Sequence, residues 1–106
     1  TNKGIKLQWI NSTVEDAKLT IIYRSTKQEL DSFEKIKEIS TDSIEWVDTN
    51  TQYGINYFYH LRTQDEALNL SAPTPLLCVK ATTLHTEICY NNMKIIHMEI
   101  SDFKYH

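Results

Sequence analysis

The stretch from Trp46 to Thr63, W-V-D-T-N-T-Q-Y-G-I-N-Y-F-Y-H-L-R-T, decides the fold. It holds an aspartate two residues after an aromatic, a glycine turn over residues 50–54, and then tyrosines at alternate positions. Successive side chains of a strand point to opposite faces. The run from Asn56 to Gln64 therefore puts Tyr57, Tyr59 and Leu61 on one face and Phe58, His60 and Arg62 on the other. Tyrosine rings supply large buried area, and their hydroxyls need partners there.

The same period recurs outward from this strand. Ile5, Leu7 and Trp9 alternate with Lys6 and Gln8, as in a half-buried strand. Residues 19–25 form a second strand, β-branched and aromatic. Its parity favours Leu19, Ile21 and Tyr23 inside, although Ile22 is also a good core residue, and a one-residue slip exchanges the faces. Residues 32–39 fit two readings. Phe33, Ile36 and Ile39 recur every three residues, as in a short helix, while the all-β surroundings and interleaved charges fit an edge strand. Residues 43–47 read as a strand with Ile44 and Trp46 on one face, and residues 77–81 as another. Pro73 and Pro75 rule out a central strand between residues 64 and 77.

Short strands separated by turn signals fit an all-β, antiparallel β-sandwich. Past Thr82, residues 88–90 and 93–100 read as two strands of a hairpin around Asn91-Asn92, since asparagine tolerates positive φ. The chain thus divides into residues 1–82, the sandwich, and residues 83–106, a C-terminal extension. That extension either packs on the sandwich as a hairpin or acts as a linker.

With 106 residues the chain has the size of one domain. Its 11 basic and 14 acidic residues are interspersed and leave a net charge of −3, which gives neither the basic cluster of a nucleic-acid binder nor a polybasic membrane patch. The uncharged stretch at residues 68–79 contains two prolines and polar residues and cannot insert in a membrane. Thr1 in place of an initiator methionine points to a piece of a longer protein. Asn11-Ser12-Thr13 and Asn69-Leu70-Ser71 match the N-glycosylation acceptor pattern, which also arises by chance.

Residues 4–82 resemble a fibronectin type III domain, an immunoglobulin-like β-sandwich. The features that carry the resemblance are the Trp46-x-Asp48 to Tyr59 corner, Trp9 in the place of a core tryptophan, and Ser71-x-Pro73 before the last strand. Ile22-Tyr23-Arg24-Ser25 followed by Phe33-x-x-Ile36 is similar to bacterial modules in surface proteins and beside secreted polysaccharide hydrolases. The resemblance implies structural roles for Trp9, Trp46, Tyr57 and Tyr59, with the Tyr57 hydroxyl bonding back to the corner. It implies an extracellular or cell-surface location and neighbouring domains on a longer chain. The family's first strand, A, has no counterpart, since only three residues precede Gly4; one edge is left bare unless the C-terminal hairpin covers it.

Candidate chemistry is sparse. His85, Cys89 and His97 lack the spacing that nucleates a zinc site, so no metal is expected. No cofactor motif is present: the two glycines, Gly4 and Gly54, form no phosphate loop, and no nucleophile motif occurs. Asp65-Glu66 has no neighbouring histidine for acid–base work, and the expectation is that the chain is not an enzyme. Cys78 and Cys89 either pair, if their strands lie side by side, or remain two buried thiols.

The outer face of Phe58, His60 and Arg62 is the candidate binding surface, because aromatic and arginine side chains carry much of interface energy; ordinary cross-strand packing explains the same pattern. The expected role is a non-catalytic interaction or spacer module of a larger extracellular protein, with adhesion among its uses. Alternatives are a glycan-binding accessory module, a receptor-like ectodomain with a protein ligand, or a strand-exchanging assembly unit.

Overall fold

The computed structural model describes residues 4–9, 17–74, 76–81, 86–91 and 98–101. The protein is all-β. Its strands are β1 (Ile5–Trp9), β2 (Ala17–Ser25), β3 (Glu34–Ser40), β4 (Glu45–Asp48), β5 (Asn56–Asp65), β6 (Leu77–Ala81), β7 (Thr86–Asn91) and β8 (Met98–Ser101). The one helical element among the described residues is a single 3₁₀ turn at Leu30–Ser32. The strands form a three-stranded sheet, β4-β1-β8, and a five-stranded sheet, β3-β2-β5-β6-β7, and every pairing is antiparallel.

Apolar alternation in both sheets supplies one shared core. Ile5, Leu7 and Trp9 of β1 cluster with Ile22, Tyr57, Tyr59, Leu61, Leu77 and Val79 of the larger sheet. Ile36, Ile39, Trp46 and Ile55 pack around this cluster. The parity of β2 is the reverse of the one its sequence favours. Ile22 lies opposite Leu61 and enters the core, while Tyr23 lies opposite His60 on the far face. β2 is an interior strand buried on both faces, Ile21 included, so apolar content alone does not choose between them. Two register shifts, at Ala17/Leu19 and at Ile22/Tyr23, adjust its alignment with its partners.

Residues 34–40 are an edge strand whose exposed Glu34, Lys35, Lys37 and Glu38 discourage pairing with another chain. The segment after β5 follows that strand without regular pairing. Thr63 donates its N–H to the Ser71 hydroxyl at 2.9 Å and Leu61 donates to the Thr74 hydroxyl at 3.0 Å. These hydroxyls maintain the bonding across Pro73, which has no N–H to give.

The two C-terminal strands take separate partners. β7 pairs with β6 in the larger sheet, and β8 pairs with β1 in the smaller. β7 and β8 therefore do not pair with each other as the expected hairpin requires, and residues 92–97 of that expectation lie outside the described residues. The Asn91-Asn92 turn lies at the margin of the described residues, and its conformation lies outside them.

Gly4 sits where β1 meets β4. Its φ is +87°, and a Cβ there would lie 2.4 Å from the Asp48 carbonyl oxygen. Gly54 has a similar φ, +81°, with open space around it. The two glycines thus separate backbone preference from close approach. Gly54→Ala is expected to cost about 1–2 kcal/mol from φ alone. Gly4→Ala should cost clearly more, because the β1–β4 contact must also open. Chemical denaturation of the two variants measures the difference, and equal losses would show that the close approach carries no weight.

Candidate functional site

Two polar and aromatic clusters stand out, one between the sheets and one on the outer face of the larger sheet. The first is built on Asp48, the last residue of β4. Its carboxylate is only 1% exposed. Arg24 of β2 donates from Nη1 to both carboxylate oxygens, at 2.9 and 2.8 Å, and the Tyr59 hydroxyl of β5 donates to Oδ2 at 2.7 Å. The Asn50 N–H donates to Oδ1 at 3.2 Å. The Arg24 guanidinium lies over the Tyr57 ring, 5.5 Å from its centre, and the Tyr57 hydroxyl accepts the Gln52 N–H at 2.9 Å.

The electrostatics follow from this geometry. Burial alone would disfavour the Arg24 charge, but the bond to Asp48 and its negative charge outweigh that and hold the guanidinium above its ordinary pKa. Burial first, and then the adjacent Asp48 carboxylate, push the Tyr59 hydroxyl far up, so it donates as a neutral phenol. Tyr57 and Tyr59 are therefore core residues with satisfied hydroxyls. Trp9 is buried, with no hydrogen-bond partner for its Nε1 among the described residues, and Trp46 is half-buried against the core.

The second cluster holds the expected binding residues Phe58, His60 and Arg62. His60 is not a surface group, since it is 2% exposed. Tyr23 stacks on it with ring centres 4.8 Å apart, and Phe33 lies against it at 4.7 Å. Phe33 directly follows the 3₁₀ turn, which places it over the outer face of the sheet and buries what strand period alone reads as exposed. Phe58 and Arg62 remain half-exposed, and the Arg62 guanidinium sits 5.7 Å from the Tyr23 ring centre. Tyr23, Phe33 and Arg24 are the participants the sequence reading left out. Their signal was the shared parity of Ile22 and Arg24, which leaves Tyr23 on the other face.

Cys78, on the same face of β6 as its partner Phe58, is disulfide-bonded. The sequence holds one other cysteine, Cys89, on the adjacent β7 beside a register shift. Among the described residues no group of three His, Cys, Asp or Glu could hold a metal ion, and no helix is long and apolar enough to cross a membrane.

No family model matches the chain and no curated protein matches it. Solved structures do. The chain is similar to pectate lyase PelI from Erwinia chrysanthemi in complex with tetragalacturonic acid, at 17% identity and a TM-score of 0.63, over 74% of this chain and 25% of that one. It is also similar to pectate lyase Pel3 from Pectobacterium carotovorum, at 15% identity and a TM-score of 0.59, over 72% of this chain and 27% of that one. At these identities the likeness is one of fold, and the chain spans about a quarter of the lyases' length.

These findings correct two expectations. The fibronectin type III resemblance is not upheld, because no family model matches and the similar structures are pectate lyases. The Asp48, Gly54 and alternate-tyrosine signals that carried it describe a corner between two sheets, which any chain with that contact can use. The expectation that the chain is not an enzyme is not upheld either, since the solved structures it is similar to are named as enzymes, over about a quarter of their length.

Two measurements test the clusters. Asp48→Ala leaves Arg24 and Tyr59 without their buried acceptor and should cost about 3–5 kcal/mol, whereas Tyr59→Phe should cost about 2 kcal/mol. Denaturant titration separates them. His60 has its pKa lowered to about 4, first by burial and then by Arg62. Between pH 6.5 and 4 the unfolded chain binds the extra proton, so stability is full above the upper limit and falls by up to about 3 kcal/mol on approaching the lower. His60→Leu should flatten that part of the pH–stability curve. An unchanged slope would place the acid sensitivity elsewhere.

Proposed function

We propose that the chain is one module of a longer, extracellular polysaccharide-acting protein. In this reading it is a rigid antiparallel β-sandwich that spaces neighbouring domains and presents its surface to a partner. The observation that carries the reading is the asymmetry of coverage: about three quarters of the chain corresponds to only a quarter of each lyase. The core shared by both sheets supports the sandwich architecture, and the Asp48 clamp between them supports rigidity. A disulfide at Cys78 supports an oxidising compartment, since such bonds persist mainly outside the cytosol.

A second reading, a glycan-binding accessory module, is favoured by the half-exposed Arg62 beside the Tyr23 ring. A guanidinium binds carboxylates and an aromatic ring offers a stacking face. Together they suit an acidic sugar chain of the kind named with PelI.

Removing residues 1–106 from the longer protein is expected to preserve turnover of short oligogalacturonides and to lower turnover of the polymer. Loss of activity on both would overturn the module reading. Titration of the isolated chain with polygalacturonate distinguishes the two roles. Binding that falls at least fivefold in Arg62→Ala supports the glycan reading, and no binding leaves the spacer role.

A further inference from the structure

The outer face of the large sheet carries a small buried cluster of its own. Ile21 lies opposite Arg62 and His60 opposite Tyr23, so all four share that face, yet Ile21 and His60 are each only 2% exposed. Part of the cover comes from the β2–β3 connection, residues 26–33. It leaves β2 at Ser25, turns through the 3₁₀ element at Leu30–Ser32 and lays the Phe33 ring against His60.

Among the described residues this flap has few other fastenings. Thr26, Lys27, Gln28, Glu29 and Asp31 are exposed. The Lys27 N–H and the Ser32 hydroxyl both bond the Ser25 hydroxyl, at 2.9 and 2.7 Å, and the Ser32 N–H donates to the Glu29 carbonyl within the flap. The segment is thus hinged between Ser25 and the Arg24–Glu34 rung, with Phe33 as its hold on the sheet. Segments with few buried apolar contacts are the ones that open locally.

Beneath the ring lies a group whose charge depends on pH. Nδ1 of His60 is buried and has no hydrogen-bond partner among the described residues. On its own strand, Arg62 opposes a second positive charge, and together with burial it keeps the imidazole neutral, with a pKa of about 4. β2 faces it with Tyr23, and on β3 the residue opposite Tyr23 is Lys35, whose charge is taken up by Glu38 at 2.6 Å. The flap presents Phe33, while its charged Lys27, Glu29 and Asp31 are exposed. Residues 71–77, which follow β5 and lead into β6, include no charged residue. Cation–π attraction to Tyr23 favours a charged imidazole, but the Arg62 guanidinium already sits 5.7 Å from that ring's centre, and two cations would share one ring.

We propose that residues 26–33 are an acid-released cover: protonation of His60 expels Phe33 and opens the Tyr23–His60 surface while the core between the sheets stays folded. Arg24, Tyr59 and the core cluster lie on the other face of β2 and β5, so the loss is confined to one side of the sheet. Once released, the imidazolium stands beside Arg62 and the Tyr23 ring as a cationic and aromatic patch that is closed at neutral pH. With an ordinary pKa of 6.5 when open and about 4 when closed, the ratio of open to closed forms rises from pH 8 by about 30-fold at pH 5 and about 150-fold at pH 4.

Fluorine NMR of 4-fluorophenylalanine at position 33, with the His60 ring proton followed alongside, tests this in the full chain. Between pH 8 and 4 the position-33 resonance should move toward that of the free label in step with His60, while amide signals of β1 and β4 keep their folded dispersion. In His60→Gln it should stay at its pH 8 position. Phe33→Leu, a change at a half-exposed position, should raise the His60 midpoint by at least one pH unit, and it decides the matter if His60→Gln does not fold. The cover is refuted if His60 titrates beneath an unmoved Phe33 resonance, or if that resonance moves only as the folded amide signals vanish. The same movement in His60→Gln, or an unchanged His60 midpoint in Phe33→Leu, refutes it equally.

Discussion

A single buried carboxylate sets the relation between the two sheets. Asp48 belongs to the small sheet, yet its side-chain partners, Arg24 and Tyr59, belong to neighbouring strands of the large one. Removing a carboxylate from water costs several kcal/mol, which only well-placed donors offset. Those donors converge when β2, β4 and β5 are all in their observed registers. A slip of one residue in any of them turns Arg24 or Tyr59 to the wrong face and leaves the charge unpaired. The apolar core rewards collapse in many arrangements, whereas this contact rewards one. Gly4 extends the same constraint, because the Asp48 backbone approaches it too closely for any side chain.

The molecule also carries buried polar atoms of the opposite kind. Nδ1 of His60 and Nε1 of Trp9 have no hydrogen-bond partner among the described residues. Asp48 is charged and fully engaged, while His60 is neutral and enclosed by aromatic rings. The first fixes geometry. The second makes the outer face sensitive to acid.

What the sequence disclosed, and what it withheld, follows from the range of each interaction. The two faces of β5 were legible because alternation is local and runs through residues 56–64. β2 was not, since Ile21 and Ile22 are both buried; its parity is decided by Arg24 reaching Asp48 and Tyr23 meeting His60, contacts with strands far along the chain. His60 was correctly assigned to its face but not to its burial, because Phe33 arrives from a segment whose three-residue spacing also suits a helix. Asn91-Asn92 signalled a turn, yet the partners of β7 and β8 were chosen by the open edges of β6 and β1. The family assignment failed for a related reason, since corner residues encode a contact and carry no ancestry.

The pairing of β1 with β8 has a mechanical consequence. The start of β1 and the end of β8 lie at the same end of an antiparallel ladder, with Lys6 beside Ser101 and Trp9 beside Met98. Tension entering through β1 and leaving through β8 would load that ladder one rung at a time, as a zipper is pulled, rather than shearing all its hydrogen bonds together. Under stretch β8 would yield first and at low force. The Asp48 clamp, which joins β4 to β2 and β5, lies off that line of force and would keep the rest of the fold intact while the chain lengthens.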